Sequence, residues 1–196
     1  MLNSFYNQIN NKIILASQSC QRVSLLNSIG IKPHKIVSPA IDESVLKNEK
    51  PQDYVLRVAK NKARKFINIF PDNIILSADT IVVCGANILD KTEDKIKARD
   101  SLLLLSGRWH KVYSCVVLLK KNKFYYKIVM TKVRFKRLSN SEIESYIDST
   151  EWIGKAGSYA IQGLASAFII GIKGSHSNVI GLPVYETVSL IVGVGC

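Results

Sequence analysis

Asp79 stands inside "IILSADTIVVCG", a segment whose other side chains are mostly apolar and β-favouring. A carboxylate buried alone costs roughly several kcal/mol, so it must meet a cation, gather hydrogen-bond donors or sit at a rim. Two readings are open. Asp79 either bonds its own backbone in a turn with help from Thr80, or serves as a metal ligand or general base. A second acidic pair, Asp42 and Glu43, lies in the loop "SPAIDES". Carboxylates of this kind suit Mg²⁺, which completes its octahedron with waters and phosphate oxygens. A solvated acidic loop is the plainer alternative.

The cations point toward an anion. In "VLRVAKNKARKF", Lys60, Lys62, Arg64 and Lys65 crowd one helix, and only Lys62 falls near the apolar stripe, between Ala59 and Phe66. It is therefore the lysine expected to point inward. Lys91 follows "ANILD" at a strand-to-helix turn, and Lys155 lies in "IGKAGSYAIQG", where glycines permit close backbone approach. Gln162, next to Gly163, offers both a donor and an acceptor, either to a base edge or to neighbouring backbone. In "KIILASQSCQRVSLLNSIG" an apolar strand breaks into Ser17-Gln18-Ser19, and Arg22 follows in the first turn of an amphipathic helix. Hydroxyls, a cation and a helix N-terminus together suit phosphate. Ser19 as a simple N-cap and Arg22 as a solvated side chain is the alternative.

These residues need a frame. The patterning predicts strands over 13–16, 35–38, 111–119 and 124–135, the last two joined as a hairpin through "KKNK". "NIILSADTIVVCG" reads as one strand or a tight pair. Helices are expected over 21–29, 52–69 and 93–105, the last capped by Thr92 and ended by Gly107. Ser141 with Glu144 suggests a capping box for a helix to Ile147, and Pro183 opens a final helix. The region between is expected as glycine-rich loop and strand. Such a mixture is an α/β or α+β fold in a single domain spanning residues 1–196, with room for two lobes.

Composition narrows the partners. Twenty-seven Lys and Arg against 15 Asp and Glu give a formal net charge of +12 over 196 residues. That balance favours polyanions: nucleotides, nucleic acid or anionic lipid. Cys20, Cys84, Cys115 and Cys196 form no C-x-x-C pair and no metal spacing with His34, His110 or His176, which suits reduced thiols in a cytoplasmic protein. The start "MLNSFYNQINNK" lacks a signal-peptide pattern, and no apolar run reaches the ~20 residues of a membrane span. P-loop and G-x-G-x-x-G cradles are absent from the sequence.

Taken in order, the motifs resemble the Maf family of nucleotide pyrophosphatases over nearly the whole chain. "LASQSCQR" is similar to the family's L-A-S-x-S-P-R-R through Ser17, Ser19 and Arg22. The family's acidic pair falls on Asp42-Glu43, its L-A-x-x-K-A on "VAKNKA" with Lys62, and its S-A-D-T on Ser77 to Thr80. Its G-K-P is represented by "DKT" with Lys91. K-A-G-x-Y-x-I-Q-G is intact from Lys155 to Gly163, and G-L-P at Gly181 to Pro183.

The resemblance implies a long mixed sheet with helices in two lobes around a deep cleft. It also implies hydrolysis of a nucleoside triphosphate to the monophosphate and pyrophosphate with Mg²⁺ or Mn²⁺, by a cytoplasmic homodimer with a housecleaning role. Asp79 matches the catalytic acid and, with Glu43, the metal site. Ser17, Ser19, Arg22, Lys62, Lys91 and Lys155 would bind the phosphates. Thr80 and Gln162 would face the base, and S-A-D-T with I-Q-G resembles the dTTP/UTP branch. Gln21 departs from the family's arginine, and Asp90 and Thr92 flank Lys91 where the family has Gly and Pro; both changes remove positive character near the expected anion. The rival reading keeps the fold without strong catalysis, as a basic nucleic-acid-binding or septum-formation regulatory protein.

Overall fold

The computed structural model describes residues 12–194. Its first strand, β1 (Ile13–Ala16), is buried at every position and pairs in parallel with both β2 (Lys35–Val37) and β3 (Ile74–Cys84). A parallel strand covered on both faces has no solvent side to give a polar residue, which is why "IILA" is unbroken. The sheet is mixed and open, ordered β2-β1-β3-β5-β6-β7, with β4 (Asn87–Leu89) folding back antiparallel on the end of β3. β5 (Trp109–Lys120) and β6 (Lys123–Phe135) form the expected hairpin. Lys121 and Asn122 turn it with φ of 48° and 64°, the left-handed pair that matches strand twist. β7 (Ile169–Lys173) pairs antiparallel with β6.

Six α-helices complete the described residues: α1 (Cys20–Ser28), α2 (Pro51–Arg64), α3 (Lys95–Leu105), α4 (Asn140–Asp148), α5 (His176–Ile180) and α6 (Val184–Gly193). The α/β reading holds, with local corrections. α2 ends at Arg64 and gives way to turns before Ile69. Asp94, not Thr92, caps α3, because its carboxylate reaches the Ile96 and Lys97 N–H groups while Thr92 Oγ1 accepts from Asp94 N. The capping box of α4 is Ser139 with Glu142, two residues before the expected pair. The short α5 lies where loop and strand were expected, since five residues carry too little periodicity to read. No helix among the described residues is long and apolar enough to cross a membrane.

The chain packs as two compact units. The first holds residues up to Asp79, Ser114–Val129 and Gly181 onward; the second holds Thr80–Tyr113 and Met130–Ile180. Each has its own core. Ile13, Leu15, Leu26, Ile74, Leu76, Val116, Leu182 and Ile191 cluster in the first. Val82, Leu102, Val112, Val133, Phe135, Trp152, Tyr159 and Phe168 cluster in the second.

Candidate active site

The site in the first unit is built on β3 and α2. Side chains alternate along a strand, so Ser77 and Asp79 share the face of β3 that meets α2. Ser77 Oγ donates to Ala59 O at 2.7 Å, which ties the strand to the middle of the helix. Tyr54, Val55, Val58, Ala59, Lys62 and Ala63 form the buried stripe of α2, and Lys62 takes the stripe position opposite Asp79. Its ammonium donates to Asp79 Oδ1 at 2.8 Å and also lies 2.9 Å from Glu43 Oε1. Lys62 and Asp79 are nearly sealed from solvent, with side chains 4% and 2% exposed, whereas Glu43 is 40% exposed. Asp79 is thus mid-strand and ion-paired rather than in a turn. Its Oδ2 is buried and has no hydrogen-bond partner among the described residues.

Arg22 supplies the second cation. It is buried, donating from Nε to Gly181 O at 2.8 Å and from a terminal nitrogen to Ser17 Oγ at 3.0 Å. Burial pulls its pKa below the ordinary arginine value, and the carboxylates of Asp79 and Glu43 oppose that shift. A guanidinium stays cationic under such a shift. Ser19 caps α1 by accepting from Arg22 N, and its hydroxyl donates to Gln21 Oε1 at 3.1 Å. The opening motif is therefore a helix cap and a buried guanidinium at once. Cys115 is an inert neighbour: burial, reinforced by Asp79, pushes its thiol up to about 12.

Glu43 is held by residues that the sequence pattern did not single out. Tyr54 Oη donates to Glu43 O at 2.7 Å, and Arg57 donates to Ser44 O at 2.9 Å. Arg57 also makes a two-pronged pair with Glu49, at 2.6 and 2.7 Å. Lys65, expected in solvent, reaches Ala40 O at 2.6 Å. Three α2-region side chains thus bind carbonyls of the acidic loop. The available signal was their position on the helix that also carries Lys62. The remaining cations of that helix, Lys60 and Arg64, lie over the rings of Phe124 and Tyr126.

Lys62 thus joins a buried and an exposed carboxylate, in the unit that also holds the buried Arg22 and the capped start of α1, and Asp79 does not sit in a turn. A family model described as "Maf-like protein" matches residues 12–194, nearly the whole chain. The chain belongs to the Maf-like protein family. It is similar to "Nucleoside triphosphate pyrophosphatase" of Ehrlichia chaffeensis, with 50% identity over 92% of this chain and 95% of that one. It is 47% identical to "dTTP/UTP pyrophosphatase" of Chelativorans sp. over 94% of this chain and 91% of the relative. A "dTTP/UTP pyrophosphatase" of Wolbachia pipientis is 46% identical, covering 92% of each.

The other family-matched positions of this Maf-like chain lie in the second unit. Thr80, half-buried, leaves β3 on the face opposite Asp79, as strand alternation requires. Lys91 is exposed in the segment between β4 and α3. Lys155 is half-buried, with its ammonium 3.3 Å from Ile153 O, and Gln162 is exposed. Two of the glycines around them, Gly157 and Gly163, have protein atoms where a Cβ would stand, whereas Gly154 faces open space. A Cβ on Gly157, at φ +69°, would meet Val82 at 2.9 Å, and one on Gly163 would lie 1.9 Å from the Glu151 carboxylate. That carboxylate accepts from Leu164 N at 3.0 Å and from Tyr146 Oη at 2.9 Å, so Gly163 lets an acid pin the "QGLA" turn.

Proposed function

We infer that this chain is a nucleoside triphosphate pyrophosphatase, cleaving dTTP- and UTP-like nucleotides to the monophosphate and pyrophosphate. The observation that carries the reading is Lys62 bridging Asp79 and Glu43 in a family whose near relatives bear that name. The two carboxylates share one ammonium, and Asp79 Oδ2 is left without a hydrogen-bond partner among the described residues. Such a set fits a divalent cation, which takes one or two carboxylates and fills its shell from waters and phosphate oxygens. Asp79 and Glu43 would hold Mg²⁺ or Mn²⁺; the ion when bound withdraws charge from the phosphoryl oxygens.

With Oδ1 taken by Lys62, Asp79 Oδ2 serves as metal ligand or as acceptor of the attacking water's proton, one carboxylate being suited to either role. Lys62 holds that carboxylate in place and offsets charge growing on the phosphoryl group. Ser17, Ser19 and Arg22 bind the phosphate tail with the N-terminus of α1, and Lys91 and Lys155 receive the departing pyrophosphate. Thr80 and Gln162 read the base, and Gln21 tunes affinity. The protein works as a single Maf-like domain, as a homodimer in the cytoplasm.

The test is product analysis with dTTP, UTP, ATP and GTP in ¹⁸O-water. Pyrophosphate and label in the monophosphate are expected, faster for the pyrimidine nucleotides and stopped by a chelator. Orthophosphate as first product would place cleavage at the γ-phosphorus and overturn the reading.

A further inference from the structure

In the second unit, three antiparallel segments turn one face to solvent. On β5, Trp109 and Lys111 are exposed while His110 and Val112 are buried; on β6, Lys132 and Arg134 are exposed while Thr131, Val133 and Phe135 are buried. Phe135 N donates to Arg108 O, which sets the β5–β6 register. Arg134 is opposite Gly171 on β7, and Lys132 opposite Lys173. One cross-strand row is thus Trp109, Arg134 and Gly171, and the next is Lys111, Lys132 and Lys173.

The Trp109 ring reaches across to β7. A Cβ on Gly171 would lie 3.2 Å from its Cη2, so glycine is the residue that lets the ring approach this strand. The Arg134 guanidinium lies 5.9 Å and the Lys173 ammonium 5.3 Å from the ring centroid. Trp109 nevertheless remains 39% exposed. β5, β6 and β7 carry no Asp or Glu. None of Lys111, Lys132, Arg134 and Lys173 forms a salt bridge among the described residues. Nothing in the nucleotide chemistry proposed above uses this face.

We propose that this face binds single-stranded nucleic acid, with Trp109 as a base-stacking platform and Lys111, Lys132, Arg134 and Lys173 along the phosphates. Charge complementarity selects the partner. A symmetric second copy would set four cations against the same four, a repulsive arrangement. A polyanion with separately stackable bases satisfies both the cations and the indole, and aromatic rings beside cations on a sheet are how sequence-tolerant single-strand binding is built. In duplex nucleic acid the bases are already stacked, so the indole has nothing to take.

The experiment measures anisotropy of a labelled 12-nucleotide oligothymidylate with the full chain, in a salt series, beside the same length of duplex and inorganic polyphosphate. The single strand should bind most tightly. Trp109→Ala should weaken it about 5- to 150-fold, the range of a single stacked base, while Trp109→Phe retains most of the affinity. Lys132→Ala with Lys173→Ala should lower the salt slope by about 0.7 for each phosphate no longer neutralised. Nucleotide hydrolysis should be unchanged in all of these variants. The proposal is overturned if polyphosphate or duplex binds as well as the single strand, or if Trp109→Ala leaves oligonucleotide affinity intact. It is overturned equally if the face proves to be an interface between copies, shown by Trp109→Ala turning a dimer into a monomer in sedimentation, or if it takes anionic vesicles in preference to the oligonucleotide.

Discussion

Lys62 Nζ sits 2.8 Å from Asp79 Oδ1 inside the first unit, and the same ammonium is 2.9 Å from Glu43 Oε1 on the loop before α2. One lysine therefore neutralises the buried carboxylate and registers the exposed one against it. The pair Lys62–Asp79 clamps α2 to β3, the strand that follows it in the chain.

Asp79→Asn keeps shape and can still accept from Lys62, but it loses the charge and basicity of Oδ2. Pyrophosphate release should fall at least about 10²-fold, the lower range for loss of a general base, with far-UV dichroism unchanged. Near-parental turnover in the folded variant would make the carboxylate structural.

Lys62→Met keeps the volume and removes the counter-charge. Stranding one member of a buried pair costs about 3–5 kcal/mol, so urea unfolding should show a loss of that order. Adding Asp79→Asn to Lys62→Met should recover much of it, because the uncompensated charge is gone. Additive losses in the double variant would mean that the two residues act independently.

Gln21→Arg restores a cation beside the N-terminus of α1, where Gln21 accepts from the Ser19 hydroxyl. A charge-assisted contact is worth about 1.5–3 kcal/mol when shielded, and solvent at this half-buried position reduces it. Calorimetry should give up to about tenfold tighter triphosphate binding. The rate constant should stay level if ground and transition states gain equally. Arg22→Ala should do the opposite and also cost stability, since Arg22 holds Ser17 and Gly181.

His110 gives the second unit a pH signature. It is buried, with Nε2 2.9 Å from Tyr159 Oη, and burial lowers its pKa from 6.5 to about 4. The unfolded chain takes up a proton near pH 6.5 that the folded chain refuses, so stability falls as pH drops. The penalty starts near 6.5 and is complete below about 4. At about 1.36 kcal/mol per pKa unit it approaches roughly 3 kcal/mol. Urea titrations between pH 7.5 and 4.5 should show this slope, and His110→Gln should flatten it. Equal slopes in both proteins would assign the acid sensitivity elsewhere.

Much of the site was legible from residue type and spacing. Asp79 in an apolar strand had to find a cation, several donors or a rim, and Lys62 was the helix cation on the apolar stripe; burial costs and helical periodicity are local rules that one chain obeys alone. The start at Ser17–Arg22 was legible for the same reason, as a strand end followed by a helix cap. The caps of α3 and α4 fall two residues from their expected places because several serines, threonines and acids compete within one turn. Only backbone geometry chooses among them.

What the sequence by itself determined was most of the element order, the α/β class, the family and the inward turn of Lys62. Tertiary structure decided which acids and which loop. Tyr54, Arg57 and Lys65 look like ordinary helix-surface residues until the Glu43 loop lies across them and offers its carbonyls. Gly157 and Gly163 look like ligand cradles until Val82 and Glu151 fill those positions. Strand alternation set Thr80 on the face opposite Asp79, and cross-strand register gathered Trp109, Arg134 and Lys173 from three strands. Periodicity says which way a side chain points along its own element; only the packed chain says what stands opposite it.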